Sequence, residues 1–484
     1  MQDLALRALE AAVRPGVAYA DVRAVETRDR ELATKNGKAA HVSSGESQGI
    51  GIRVLASGCW GFAATDDLTA AGIESCAALA IEIARSGTAA KKHDVALAPE
   101  DRQEAVWVSP IAIDPFSVSV DRQLGVLLAI DQELRRNPGI NLAEASMHFH
   151  RQRQIFASSS GSLIDQTRYS SGAGFSALSY KEGEIQRRSY PNSFGGQYQL
   201  KGYELVDELH LLENAPRIAE EAVALHSADQ CPEGEFDLIL DSSQLGLQIH
   251  ESIGHPIELD RVLGSEANYA GMSFLTLDQL GKLRYGSEIV NVVCDARPAH
   301  GPGLGTFAFD DEGVGAQRTD IIRGGLFTGY MTSRETAALV GQARSNGCMR
   351  ADGWARIPLI RMTNVSLLPG EQSLDEVFDV PHAIYMETNR SWSIDDKRYN
   401  FQFGCEIGWE IRDGRRVRML KNPSYSGIST EFWNSCAAIA GPEHWTLWGV
   451  PNCGKGQPEQ VMGTGHGASP ARFRRIRIGS AYAG

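Results

Sequence analysis

The sequence predicts an α+β protein in which N-terminal α+β domain(s) are followed by a β-rich, barrel-like C-terminal domain. Three observations predict it. Up to about residue 228, helical and strand periodicities are intermixed. From Cys231-Pro232-Glu233-Gly234 onward, short strands mostly alternate with glycine turns. The 484 residues contain 50 glycines against 19 prolines, with no collagen-like period or low-complexity run to absorb them, so the glycines read as tight turns and hairpins.

The elements follow in order. Leu4, Leu6, Leu9 and Val13 fit a short helix stopped by Pro15. Ala20, Val22 and Ala24 alternate with Asp21 and Arg23 as a strand, Ile50, Ile52 and Val54 alternate again, and Ser57-Gly58 turns the chain into a hairpin arm from Cys59 to Ala64. Thr65 or Asp66 is placed to cap a helix whose Leu68, Ile73, Cys76, Ala80 and Ile83 share a face. Residues 1–88 make the first α+β domain. The polar stretch 89–118, with Pro99, Pro110 and Pro115, is the expected linker. A middle α+β segment, 119–228, opens with a helix carrying Leu124, Leu127, Ile130 and Leu134 and continues into glycine- and serine-punctuated strands. The last unit, 229–484, begins with the strand Phe236 to Leu240 and a helix capped by Asp241 or Ser242. Its further strands include Ile289 to Cys294, Leu359 to Leu367 and Phe401 to Ile411. This mixed order favours α+β over a doubly wound parallel sheet.

Composition narrows the function. A hydrophobic fraction of 42% and a charged fraction of 22% are those of a globular chain able to bury sizeable cores. A formal charge of −13 argues against general nucleic-acid or membrane binding. The opening segment carries Asp3 and Glu10 and breaks at Pro15-Gly16, unlike a signal peptide, so a cytoplasmic location is expected. The eight scattered cysteines form no CxxC pair and read as reduced, mostly buried thiols.

The informative segment is Ser242 to Arg261, SSQLGLQIHESIGHPIELDR, where His250, Glu251 and His255 form HExxxH. Histidines four apart share a helix face; five apart, they diverge by about 140° on a regular α-helix. One π-type turn would bring them back towards register. Gly254 and Pro256 flank His255, and proline removes a backbone donor and ends regular helix nearby, so the loosening falls where two ligands need it. A catalytic zinc takes three protein ligands. Cys453, in Val450-Pro451-Asn452-Cys453-Gly454-Lys455-Gly456, is the best third candidate, because the glycines permit close backbone approach and Lys455 would favour the thiolate. His466 is the reserve.

The chain resembles the TldD/PmbA family, on the TldD-like catalytic side. The resemblance runs from Tyr19-Ala20-Asp21-Val22-Arg23 and Gly49 to Val54 nearly to the C-terminus. Its most specific elements are His250-Glu251-Ser252-Ile253-Gly254-His255, Phe309-Asp310-Asp311-Glu312-Gly313, Arg361-Met362-Thr363-Asn364 and Cys453-Gly454-Lys455. It implies a zinc peptidase with the ion on His250, His255 and Cys453. Because PmbA-like partner subunits lack HExxxH, it also implies a catalytic subunit that forms a homodimer or a heterodimer with a PmbA-like homologue. One departure is that Cys-Gly-Lys runs directly into Gly456-Gln457, without the acidic residue expected in many relatives.

Glu251 is then the general base and acid, taking a proton from water and returning it to the leaving amine of an extended or unfolded peptide. Two rival classes are a small-molecule zinc amidase and a regulatory protein of gyrase-modulator type with a non-catalytic metal. Asp310-Asp311-Glu312 reads as an acidic turn ahead of Gly313, in preference to a role beside the metal. Arg361 and Asn364 fit a strand bordering the cleft, and His148 and His150 read as surface or core histidines on a strand. Gly301-Pro302-Gly303-Leu304-Gly305 lacks the lysine and helix of a phosphate loop.

Overall fold

A computed structural model describes residues 1–268 and 271–480. The α+β expectation holds, with a closed five-stranded barrel in the C-terminal region. The N-terminal sheet has the order Cys59–Thr65, Lys38–Ala56, Val17–Lys35, Leu142–Ser158, Leu163–Lys181 and Glu104–Val108. Strands from before and after residues 89–118 thus belong to one sheet. Glu104–Val108, inside the stretch expected to be a linker, pairs parallel to Leu163–Lys181.

Two pairs of helices cover the sheet. Gln2–Ala12 and Ala70–Ser86 pack over Val22, Ile50, Ile52, Val54 and Ile155. Val120–Leu134 and Leu211–Ala224 cover Leu32, Met147, Phe149 and Phe175. The first helix buries Ala5, Ala8, Ala11 and Ala12 and leaves Leu6 and Val13 exposed. Leu4 and Leu9 pack at the edge of the same core, and the small alanine side chains let this helix lie close to the strands. Thr65 ends a strand, and the helix cap is Thr69, whose side chain accepts from the Gly72 amide at 3.1 Å. The helix therefore starts later and buries Ile81, leaving Ile83 exposed.

The C-terminal barrel closes through five strands. Gly234–Leu240 runs parallel to His382–Ile394 and antiparallel to Ala471–Ser480; the latter pairs with Pro423–Ile428, then Asn400–Arg412, which returns to His382–Ile394. The barrel supplies Phe401, Phe403, Tyr425 and Phe473 to the largest core cluster. Asp241 ends the first barrel strand and caps Ser242–Ile249, accepting from the Ser243 and Gln244 amides at 2.9 and 3.1 Å. Every residue of that helix is buried, so its polar side chains must find partners inside the protein. Its Gln244 donates to the Tyr425 hydroxyl, which donates in turn to Gln248. A hairpin of Thr446–Lys455 and Gln460–Ala468 lies against this helix, and the small sheet containing Val292–Asp295 and Val365–Leu367 completes the surroundings. Among the described residues no helix is long and apolar enough to cross a membrane.

Candidate metal centre

The helix that begins at Ser242 widens at His250. Residues His250–Gly254 form a π-helical turn in which the His255 amide donates to the His250 carbonyl, five residues back, at 3.1 Å. The extra residue brings the two rings to a centroid separation of 4.7 Å. Cys453 arrives on the hairpin strand Thr446–Lys455, past a bulge between Val450 and Cys453. One ligand atom from each of His250, His255 and Cys453 lies within 4.8 Å of the others, and all three residues are buried. The Sγ of Cys453 is 3.8 Å from Nε2 of His255.

The widened turn is held from outside the motif. The Ser252 hydroxyl donates to the Gln248 carbonyl at 2.6 Å and accepts from Trp433 Nε1 at 2.9 Å and Gln248 Nε2 at 3.0 Å. The Tyr285 hydroxyl donates to the Ser252 carbonyl. Gly254 is needed for a second reason besides loosening: a Cβ there would meet Met362 Sδ at 2.1 Å.

Each imidazole has a partner on the nitrogen that would face away from an ion. Nδ1 of His255 donates to Glu258 at 3.1 Å, and Glu258 also receives Arg261 at 3.1 Å and Lys455 at 3.4 Å. Burial would raise the Glu258 carboxyl, but Lys455, His255 and Arg261 outweigh it and hold it well below the usual range. Nδ1 of His250 faces Nε2 of His466 at 2.8 Å. Burial pushes His250 down to about 4 and lowers His255 as well, so both rings are neutral near pH 7, the form that binds metal. Burial alone would raise the Cys453 thiol, but His255 and Arg361 draw it below its ordinary value.

Several sequence expectations change. Lys455 does not face the thiol; its ammonium binds Asp260 at 2.7 Å and the Ile360 carbonyl at 2.6 Å. Arg361 takes the electrostatic part instead and donates to the Cys453 carbonyl and, at 3.1 Å, to the Gln460 carbonyl. His466 is turned so that Nε2 meets His250, placing it behind a candidate ligand. Asn364 pins the 301–305 loop, accepting from the Gly305 amide at 3.1 Å and donating to Thr306 and to the Asp295 carbonyl, each at 2.8 Å. Asp310, Asp311 and Glu312 do form a turn ahead of Gly313, whose amide donates to the Asp310 carbonyl at 3.1 Å, and the turn is buried. Asp310 accepts from the Glu312, Val314 and Met349 amides, Asp311 from Gln154 and the Ala351 amide, and Glu312 from Arg53 and the Arg334 amide. Glu258 is the functional residue that sequence reasoning misses. A glutamate eight residues past the first histidine of the motif is invisible until the chain has turned at Pro256.

Glu251 is buried at the same turn, and its Oε2 lies 2.8 Å from Nη1 of Arg398, which sits in a turn between two barrel strands. The donor set fits zinc: two imidazoles and a thiolate match a borderline-soft ion, and three protein ligands leave one position open.

Family models for the PmbA/TldA metallopeptidase match the chain in three stretches: domain 1 over residues 20–84, the central domain over 113–228 and the C-terminal domain over 233–479. A protein named metalloprotease from Methanothermobacter thermautotrophicus is 29% identical, with 96% of each chain covered. A zinc metalloprotease TldD homologue from Saccharolobus solfataricus is 29% identical over 43% of this chain and 44% of its own. Among solved structures, TldE from Thermococcus kodakarensis shares the fold with a TM-score of 0.72 at 15% identity, covering 99% of this chain and 100% of that one. A candidate modulator of a DNA gyrase from Thermotoga maritima does so with a TM-score of 0.76 at 18% identity, covering 98% and 99%. The chain belongs to the PmbA/TldD metallopeptidase family.

Proposed function

We propose that this chain is a zinc-dependent peptidase acting on extended or unfolded peptides, with His250, His255 and Cys453 as the metal ligands. The observation that carries the reading is the convergence of those three donors, within 4.8 Å, at a turn that also holds Glu251. A zinc ion there would supply Lewis acidity and make water a usable nucleophile near neutral pH.

Glu251 takes a proton from the attacking water and passes it to the departing amine. Arg398, ion-paired with it at 2.8 Å, holds the carboxylate in place. Glu258 and His466 orient the two imidazoles. Strands and glycine turns around the centre suit a substrate that binds through its backbone, as an extended chain does. The protein works in the cytoplasm as a dimer, either with itself or with a PmbA-like homologue. The fold shared with TldE supports the second arrangement.

Glu251→Gln tests the reading. The variant should keep its zinc and lose at least the ~10²-fold of a general base in peptide hydrolysis. Unchanged hydrolysis would remove Glu251 from the mechanism. Zinc binding with no peptidase activity in the parent protein would favour a regulatory role, and cleavage of small amides alone would favour an amidase. Light scattering with and without a PmbA-like homologue distinguishes the two dimers.

A further inference from the structure

The strands Val17–Lys35 and Leu142–Ser158 pair antiparallel, setting Asp29 opposite His150 and Glu31 opposite His148. Residues two apart on a strand share a face, so all four side chains rise from one side of the sheet. The other side at this point is the buried one, where Leu32, Met147 and Phe149 lie under helices. Nδ1 of His150 is 2.6 Å from Oδ1 of Asp29. Nε2 of His148 is 3.6 Å from the same oxygen and 3.8 Å from Oε1 of Glu31. On the next strand, Nε2 of His41 is 3.6 Å from the other oxygen of Glu31.

The charge balance of this face is unusual. Among the described residues, the ion-pair partners of Asp29 and Glu31 are imidazoles and no lysine or arginine. With those rings neutral, no ion-paired cation among the described residues offsets the two carboxylates. Partial burial would raise the Asp29 carboxyl, yet the hydrogen-bonded His150 and the nearby His148 outweigh it and hold it far below the usual range. The carboxylate is therefore ionised and already engaged by both nitrogens.

We propose that Asp29, Glu31, His148 and His150 form a second divalent-cation site, suited to zinc or another first-row transition metal. Two imidazole nitrogens and two carboxylate oxygens are the donors such ions take at about 2.0–2.2 Å. Directly opposed residues of antiparallel strands have Cβ atoms about 4.5–5.5 Å apart, so side-chain rotation alone gathers the four donors around an ion. The side chains are free to make that rotation, being between 32% and 55% exposed. The site sits on the side of the sheet that approaches the metal-bearing hairpin: Gly172 pairs with His148, the Tyr198 ring covers Gly172, and the Tyr198 backbone packs against Gly449 of the strand that carries Cys453.

Cobalt(II) titration of the metal-free, full-length protein separates the two sites. An ion bound by Cys453 shows thiolate-to-cobalt charge transfer in the near ultraviolet, and one bound by imidazoles and carboxylates does not. The parent should take up a second equivalent that adds no charge-transfer intensity. His148→Ala/His150→Ala should lose that equivalent and keep the charge-transfer band, whereas Cys453→Ala should do the reverse. Asp29→Asn/Glu31→Gln, which leaves both imidazoles in place, should also lose the second equivalent. Uptake of a single equivalent by the parent, or a second equivalent that survives both double variants, would overturn the proposal. The charge-transfer band reports on the Cys453 centre independently.

Discussion

Nδ1 of His250 lies 2.8 Å from Nε2 of His466, and the hydrogen bond between them has only one possible direction. Nδ1 of His466 is 3.0 Å from the Val365 carbonyl, which can only accept, so that nitrogen carries the hydrogen. Burial keeps His466 far below the ordinary histidine pKa and hence neutral. Its Nε2 therefore accepts, Nδ1 of His250 donates, and the lone pair of His250 is left on Nε2. Replacing His466 by phenylalanine keeps a ring of similar shape and removes the acceptor. Zinc affinity should fall by about 10–100-fold, as is typical when a ligand's supporting partner is lost. Chelator competition measures it, and unchanged affinity would mean that His250 is oriented by something else.

Cys453→Ala should abolish tight zinc binding and peptide hydrolysis together. The thiol is the third donor of the buried trio, and its position is fixed by the bulged hairpin and by Arg361 on its carbonyl. Metal analysis after dialysis reads the outcome. Full retention of zinc by this variant, with loss only in the His466 variant, would move the third-ligand role to His466.

The π turn should depend on residues distant in sequence. Tyr285→Phe removes the donor to the Ser252 carbonyl and leaves that buried group unpartnered. The expected cost is about 1–3 kcal/mol in urea unfolding, with weakened zinc binding because the spacing of His250 and His255 relies on this turn. A stability change with no effect on zinc would show that Trp433 and Gln248 hold the turn without help.

The legible part of the site was local. Five-residue spacing, Gly254 and Pro256 specify a widened turn, because helical geometry offers few other ways to bring two such histidines together. Cys453 stands out through its flanking glycines together with the family resemblance, and its thiol lies beside the two imidazoles. What escaped depends on tertiary contacts. Glu258 reaches His255 only after the chain turns at Pro256, and two of the partners of Ser252, Tyr285 and Trp433, lie on segments more than thirty residues away. Lys455 sits beside Cys453 in sequence, but its strand position turns it towards Glu258 and Asp260, away from the thiol. In the fold, strand alternation located the sheets. The first helix forms as its spacing predicts, and its alanines, flanked by Leu4 and Leu9, make the contact with the sheet.

Arg398→Gln should retain zinc and reduce peptide turnover, since it frees the Glu251 carboxylate from its 2.8 Å ion pair. If Arg398 positions Glu251, the loss should appear mainly in kcat, and Arg398→Lys should recover part of it. Equal losses in the lysine and glutamine variants would assign Arg398 a shape-dependent role in holding its turn.

Arg53 should be the residue whose removal most weakens the join between the N-terminal sheet and the C-terminal region. It is buried, pairs with Asp21 at 2.7 Å within the sheet and with Glu312 at 3.2 Å across the join, and lies 4.3 Å from the centre of the Trp60 ring. Arg23 and Asp311 make a second pair across the same join at 3.8 Å. Burying these charges is costly, so the network as a whole need not be strongly stabilising, but removing one cation leaves two carboxylates facing each other without water. Arg53→Met should therefore cost about 3–5 kcal/mol. Adding Glu312→Gln should recover part of that loss, because it removes one of the stranded charges. Urea unfolding of the parent, both single variants and the double variant measures the coupling directly. A near-zero coupling energy would mean that Arg53 acts through its packing on Trp60 and that Glu312 is satisfied by the Arg334 amide alone.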